Sequence, residues 1–599
     1  MGSVRRQADG RQSRSDRRFR THPGEMSASR YLAYVRCATV GSKGAATDQM
    51  SKVPLAVPIN LWTSDPVVMI GTQGAIIGHL FTKALPSRRI KELNAAETNA
   101  AIITHGQSLI RDYWGSYVAI FQIAGGDIVI IRDPSGGLPA FWREIDGGIV
   151  IAPQVGTSPF AASDGISVDL DALLVHMWHP FHAGEQTCLC GVREIVPGGR
   201  LHIGPSKQRS DLLWQPWDYI AGRARLGPAS IEHLRATVLD AIKTWAGEFA
   251  SISSGLSGGL DSSIVCAGLA GATSSPRGFH MRWADREGDE TYYAQLVAQA
   301  LDMPLDIYPY DLDAIDFEQP IVAHTARPLM AHYAQSTAKA QAMVAAQHNI
   351  AAFFTGHGGD NVFGMTHSIV PILDRYRDAA GAKAVIASIQ DVSRLHDASY
   401  ATILLHILRH LARGPRKAAQ GTPGFLNIKR LDAAKERIAI HPWLTPPEGL
   451  APGAAAHIRA LSRAVGYEGF HDRRFQPPTI APLLAQSVME VCLGIPSWQW
   501  VEAGIDRSMA RRAFSSDLPP AITARRTKGG PAGFLDRYYW DNERKILSFL
   551  KSGFLAEHDL ICAVPPPDAP SGRPAYDRAD ARRLLGLAGV ESWARQWAG

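Results

Sequence analysis

The chain reads as a two-part protein of mixed α+β and α/β class, and three observations carry that reading. Short apolar runs separated by glycine turns fill its first third. Helical stretches then alternate with short apolar runs from about residue 229, the pattern of a parallel sheet covered by helices. A length of 599 residues calls for two or more domains.

In the first part, Val67–Ile70 and Ala75–Leu80 flank a glycine turn, and Tyr117–Ile123, Ile128–Ile131 and Ile149–Ala152 continue the pattern. Ala124-Gly125-Gly126-Asp127 and Asp146-Gly147-Gly148 supply hairpin turns. In the second part, helices are expected over Ile231–Trp245, Tyr292–Leu301 and Ser336–Gln347. Gly278–Trp283, Leu305–Tyr308 and Ala351–Thr355 are the intervening strands, and residues 365–515 are mostly helical. The polar, Gly/Pro-bearing stretch Ser206–Pro228 is the linker candidate. The expected division is a basic tail over 1–26, a first domain over 27–215, a linker over 216–228 and a second domain over 229–599.

Composition narrows the class. A hydrophobic share of 46% with 20% charged residues is that of a soluble globular protein. The net charge of +6 suits a phosphate-bearing ligand or an acidic peptide and gives little ground for nucleic acid. Arg5, Arg6, Arg11, Arg14, Arg17, Arg18 and Arg20 crowd an N-terminal segment that lacks the apolar core of a secretory signal. No apolar run is long enough for a membrane span. The six cysteines form no C-x-x-C pair, and Cys188-Leu189-Cys190 lacks partners at zinc spacing. Few cysteines together with a nucleotide site point to the cytoplasm.

The most informative stretch is Ser257-Gly258-Gly259-Leu260-Asp261-Ser262-Ser263, between a strand-like run ending at Leu256 and a helical pattern. Strand, Gly/Ser loop and helix start is the arrangement that holds a phosphate chain on backbone N–H groups. Asp261 beside phosphates implies a divalent cation between them, so the loop reads as an ATP site with Mg2+. It is not a Walker loop, which carries a Lys before its Ser/Thr. A second glycine loop, Thr355-Gly356-His357-Gly358-Gly359-Asp360, again follows an apolar run, and Asp360 pairs naturally with Asp261 as a second metal ligand.

The heptamer resembles the pyrophosphate loop of ATP pyrophosphatases, most closely the asparagine-synthetase-like branch, whose members cleave ATP to AMP and pyrophosphate while adenylating a carboxylate. The second loop resembles the Gly-x-Gly-Ser-Asp element of that family, and Arg525-Arg526-Thr527-Lys528-Gly529-Gly530 resembles its late Lys-Gly element. The resemblance implies that Leu256 offers its backbone to the adenine and that Met281 flanks the same base, unless Met281 is a core residue. It implies that residues 257–263, Thr355 and Gly356 hold the nucleotide and that Asp261 and Asp360 hold Mg2+. It also makes Lys528 the residue that stabilises transition-state charge, with Arg526 a second candidate. Asp289 and Glu290 open a helix and read as its cap, or alternatively as metal or substrate ligands.

His357 stands where asparagine synthetases carry Glu, and Gly-His-Gly-Gly-Asp resembles the lasso-peptide cyclases of the branch. It reads either as a base or amine-positioning group or as a structural histidine bound to backbone. The stretches Pro482–Gln486 and Met489–Trp500 resemble the same group. Trp114–Tyr117, Arg132–Pro139 and Val196–Gly199 resemble the family's glutaminase-like domain, but Met1 is followed by Gly2, Met26 by Ser27, and Cys37 lies inside the first strand pattern.

The resemblance therefore implies an Ntn-type β-sandwich with flanking helices that lacks its nucleophilic Cys, joined to an adenine-nucleotide α-hydrolase-like synthetase domain. It implies a cyclase that joins an Asp or Glu side chain of a precursor peptide to that peptide's N-terminal amine, with a leader peptidase or leader-binding protein as partner. The alternatives are an asparagine synthetase or β-lactam-synthetase-type ligase, or a non-catalytic ATP-binding scaffold of a peptide-maturation complex.

Overall fold

The computed structural model describes residues 30–36, 50–145, 148–156, 165–180, 184–205, 207–220, 228–272, 275–283, 288–378, 381–413, 423–465, 476–526, 529–530, 532–562 and 577–598. Twelve strands precede residue 213: β1 (Tyr31–Val35), β2 (Ser51–Val53), β3 (Ile59–Thr63), β4 (Val67–Ile70), β5 (Gly74–Thr82), β6 (Tyr113–Gln122), β7 (Ile128–Arg132), β8 (Phe141–Ile145), β9 (Gly148–Ala152), β10 (Arg193–Glu194), β11 (Gly199–Ile203) and β12 (Gln208–Leu212). They form two antiparallel sheets of order β10-β8-β9-β1-β3-β2 and β12-β11-β7-β6-β5-β4. Facing apolar residues make the sandwich core: Tyr31, Ala33, Leu61 and Ile151 from one sheet meet Ile77, Val118, Ile120 and Ile130 from the other.

Both outer faces are covered as well, which explains why β6 and β7 read as nearly continuous apolar runs rather than as alternations. The helix Leu170–Trp178 lies in a cluster with Leu32, Tyr34, Phe141 and Val150 of the first sheet. The opposite face packs on Leu109 and Ile110 and on the helix Pro228–Ala246, whose Trp245 meets Phe81 edge-on at 5.1 Å. The β6–β7 turn works as expected: Gly125 and Gly126 have φ of 89° and 88°, which side-chain-bearing residues rarely adopt. Residues 146–147 of the other expected turn, Cys37 and the 1–26 tail lie outside the described residues. The linker candidate Ser206–Pro228 is corrected in its first part, because Gln208–Leu212 is β12, paired with β11; Pro216–Tyr219 forms a 3-10 helix, and residues 221–227 lie outside the described residues.

The second part is built on β13 (Ile252–Gly255), β14 (Arg277–Arg282), β15 (Leu305–Pro309), β16 (Ala352–Phe354) and β17 (Thr479–Ile480), all parallel, in the order β15-β14-β13-β16-β17. The chain walks outward from β13 to β15 and then returns to β16 on the other side of β13. Adjacent strands therefore send their following loops to opposite faces between β13 and β16. That switch point, beyond the strand ends, is the place where open α/β sheets bind ligands. Both glycine loops begin at that point.

Candidate active site

The chain leaves β13 through Leu256, whose N–H donates to Phe279 O at 2.8 Å and whose carbonyl lies 2.8 Å from His280 Nδ1. His280 is buried, and burial holds its pKa below the ordinary value. Gly258 then turns with φ 74°; a Cβ there would stand 2.4 Å from Tyr293 Cβ, so the loop presses against the start of the helix Thr291–Ala300. The helix Leu260–Ala270 follows, carrying Asp261, Ser262 and Ser263 in its first turn. The loop is internally cross-linked: Ser257 Oγ accepts from Gly259 N and meets Ser262 Oγ at 3.1 Å, and Ser263 Oγ donates to Gly259 O at 2.8 Å.

The loop after β16 packs directly onto the first. A Cβ on Gly356 would lie 2.5 Å from Ser262 N, and one on Gly359 would lie 2.4 Å from Asp261 Cγ. Both positions must therefore be glycine for the two loops to touch. That contact brings Asp360 beside Asp261. Thr355 continues the sheet by donating its N–H to Ile480 O at 3.0 Å, and its Oγ1 accepts from His357 N. The His357 ring lies 3.2 Å from Ala464 O on the helix Pro452–Val465, and Asn361 donates to Ala460 O on the same helix.

A residue outside the sequence-derived set completes the centre. Arg507 Nη1 lies 3.1 Å from Asp261 Oδ2 and pairs with Asp360 Oδ1, while Nε bonds Asp506 Oδ2 at 3.1 Å. Its side chain is only 9% exposed. Burial works against the guanidinium charge, but the three carboxylates outweigh it and hold the pKa above the ordinary value. The hairpin Val501–Glu502/Ile505–Asp506 aims Arg507. It turns through Ala503 and Gly504, both at positive φ, and Arg507 itself sits at φ 51° before the helix Ser508–Ala513. Asp506 is in turn held by Arg511 at 2.9 Å.

The expected cap divides. Asp289 Oδ1 accepts from Thr291 N at 3.0 Å and caps the helix, whereas the buried Glu290 points elsewhere, accepting from Arg525 Nη2 at 2.7 Å and Gly529 N at 2.9 Å. Arg525 also donates to Gly258 O at 3.1 Å and lies 3.9 Å over the Tyr293 ring. It is thus Arg525, within the expected cationic run, that touches the first loop; Arg526 is exposed. Lys528 lies outside the described residues, but its neighbours at 525 and 529 are both tied to Glu290. Met281 is half-buried against Phe279, Val344 and Phe353, so its packing is that of a core residue.

Residues 233–428 match a family model described as asparagine synthase. That segment carries both glycine loops and supports an ATP-dependent amide ligase, as the residue pattern led us to expect. No curated protein matches the chain. Among solved structures it is similar to a glutamine phosphoribosylpyrophosphate amidotransferase from B. subtilis complexed with ADP and GMP, at 10% identity over 47% of this chain and 60% of that one, with a TM-score of 0.18. It is also similar to a glutamine-dependent NAD+ synthetase from Acinetobacter baumannii in complex with ADP, at 13% identity over 46% of this chain and 60% of that one, also with a TM-score of 0.18. The chain thus spans less than two thirds of either relative, and at these TM-scores the likeness carries no argument about activity.

Proposed function

We propose that this ligase is a peptide macrolactam cyclase. It adenylates an Asp or Glu side-chain carboxylate of a precursor peptide and joins it to the peptide's N-terminal amine. The observation that carries the nucleotide half of this reading is the convergence of Asp261 and Asp360, one from each glycine loop, on a single buried cation. Two carboxylates facing one positive charge suit Mg2+, which takes one or two carboxylates and completes its shell with phosphate oxygens and water. Asp261 and Asp360 are the residues that would hold it; bound, it would neutralise the phosphate charge.

The carboxylate oxygen attacks the α-phosphorus and pyrophosphate leaves. The amine then attacks the acyl carbon and loses a proton, and AMP departs with the former carboxylate oxygen. We assign His357, whose ring lies 3.2 Å from Ala464 O, to take up or orient that amine, Lys528 to meet the developing charge, and Arg526 as the second candidate for that role. We assign residues 27–215 to a glutaminase-like domain without a working nucleophile. Cys188, the buried thiol there, is pushed up to about 12 by burial, which leaves it protonated and inert. With no ammonia made in place, the amine comes with the substrate. A leader-removing protease in the cytoplasm is the partner this chemistry requires.

The test is incubation with Mg2+, ATP and a leader-free core peptide. A product one water lighter, formed with AMP and pyrophosphate, is expected; Lys528→Ala should abolish it. Pyrophosphate release that depends on free aspartate or a carboxyethyl amino acid, with no change in peptide mass, would move the assignment to an asparagine-synthetase or β-lactam-synthetase-type ligase.

A further inference from the structure

One surface of the helical part of the second domain has no role in the reaction proposed above. The helix Tyr400–Arg413 docks through one stripe only: Ile403 is buried with Ile372 and Val392, and Ile407 packs beside them. At 100° per residue a second stripe, Ala401, Leu404, Leu408 and Leu411 with Leu405 alongside, points away from that contact. Leu408 is 62% exposed and Leu411 65%. The neighbouring helices Val370–Arg377 and Ala382–His396 add exposed Tyr376 and Ile386. More than half of the exposed large apolar side chains among the described residues fall between residues 376 and 411. Contiguous apolar exposure on this scale marks an interaction surface.

Charge narrows what covers it. The sequence has no Asp or Glu from Ala398 to Leu431, while Arg409 and Arg413 fall within the helix and Arg416 and Lys417 follow it in the sequence. Arg409 and His406 are exposed beside the leucine stripe. A second copy packed helix on helix would set cations against cations, since the helix itself carries no acid; the nearest exposed acids, Asp378 and Asp397, end the neighbouring helices. A protein groove would have to match leucines, Ile386 and two tyrosines spread over separate helices. A fluid bilayer needs no such match, takes leucine into its acyl boundary and tyrosine at its headgroups, and supplies negative charge.

We propose that the helix Tyr400–Arg413 seats this enzyme on the surface of an anionic membrane, lying in the interface plane through Leu404, Leu405, Leu408 and Leu411. The seating is peripheral: no helix among the described residues is long and apolar enough to cross a bilayer.

The test is co-sedimentation of the full chain with vesicles of phosphatidylcholine alone or of phosphatidylcholine and phosphatidylglycerol at a ratio of about 7:3, enough acidic lipid for a surface potential. Binding to the mixed vesicles only, weakened by salt, is expected. Arg409→Gln should weaken it about fivefold. Leu404→Glu/Leu408→Glu should abolish it while melting temperature and ATP-dependent pyrophosphate release stay at wild-type values. Absence of binding to the mixed vesicles overturns the proposal, as does equal binding by the double variant. A dimer that the double variant dissociates, without vesicle binding, would give the face to a second copy instead. None of these readouts depends on which amide bond the enzyme makes.

Discussion

Arg507→Met is the substitution that most directly interrogates the centre. It removes a buried cation and leaves Asp261, Asp360 and Asp506 facing one another. Stripping the partner from a buried ion pair costs about 3–5 kcal/mol. Asp360 is 31% exposed and water relieves part of its share, while Asp506 keeps Arg511, so the lower end, about 3 kcal/mol, applies. For a unit of this size each kcal/mol moves the melting temperature by about 2 °C, so the apo variant should melt about 6 °C below wild type. Mg2+ with a non-hydrolysable ATP analogue should recover most of that loss, because the ion takes over the two carboxylates. The same addition should do little for Arg507→Met/Asp261→Asn. The assay is differential scanning fluorimetry with and without Mg2+ and nucleotide. An apo variant that melts with wild type would refute the buried-pair argument. Equal rescue in the Asn double variant would refute the metal assignment.

Other consequences follow from single contacts. Gly359→Ala puts a methyl 2.4 Å from Asp261 Cγ, so pyrophosphate release should fall about 100-fold as the carboxylate is displaced, with a stability loss of about 1–3 kcal/mol in denaturant titration. Arg525→Gln leaves Glu290 buried without its cation and should cost about 3 kcal/mol; an unchanged melting temperature would count against that pairing. His457, on the helix over the second loop, donates its Nε2–H to Val362 O and is held down to about 4 by burial. The unfolded chain therefore binds a proton below pH 6.5 that the folded chain refuses. The His457 contribution is intact above that pH and is lost towards pH 4, up to about 3 kcal/mol. His457→Gln should flatten that part of the stability–pH curve.

What could be read ahead of the structure follows from the range of the interactions. β4 is a strand where its apolar run begins and ends, and β7 runs one residue past its run to Arg132; β7, buried at every position, announces itself locally as a continuous apolar run. The strand-like run ending at Leu256 begins at Phe249 in the sequence, but the strand is only Ile252–Gly255, since Phe249 N still bonds Ala246 O at the end of the preceding helix. β17 was not legible: two residues after Pro477-Pro478 carry no periodicity, and their strand character comes from pairing with β16, where Phe353 N donates to Pro478 O at 2.8 Å. Asp261 and Asp360 could be paired in advance because each sits in a glycine loop of recognisable chemistry. Arg507 could not, because its meaning lies in a contact 246 residues away. The choice between Arg525 and Arg526 was equally hidden, since a run of cations does not say which one turns inward. A carboxylate at 290, a helix start away from 525, was the available signal.

A triphosphate needs more than the carboxylates of this centre. Asp261, Asp360 and Asp506 surround Arg507, Arg511 holds Asp506, and Glu290 pairs with Arg525. Carboxylates suit a divalent ion but are wrong in sign for a triphosphate. Helix and loop N–H groups offer only partial charges. The remaining positive charge must come from side chains that reach the site without being spent on a carboxylate. Glu290 anchors the segment 525–529 at both ends beside the first loop, using Arg525 and the Gly529 N–H. It thereby commits one cation of the run to structure; on the proposed reading Lys528, with Arg526, meets the charge that develops on the nucleotide. On this reasoning Glu290→Gln should raise the KM for ATP more than it lowers the melting temperature of the nucleotide-bound enzyme, because it frees the strap rather than the sheet. Steady-state kinetics with saturating second substrate measures it, and an unchanged KM with a lowered kcat would place Glu290 in the chemistry instead.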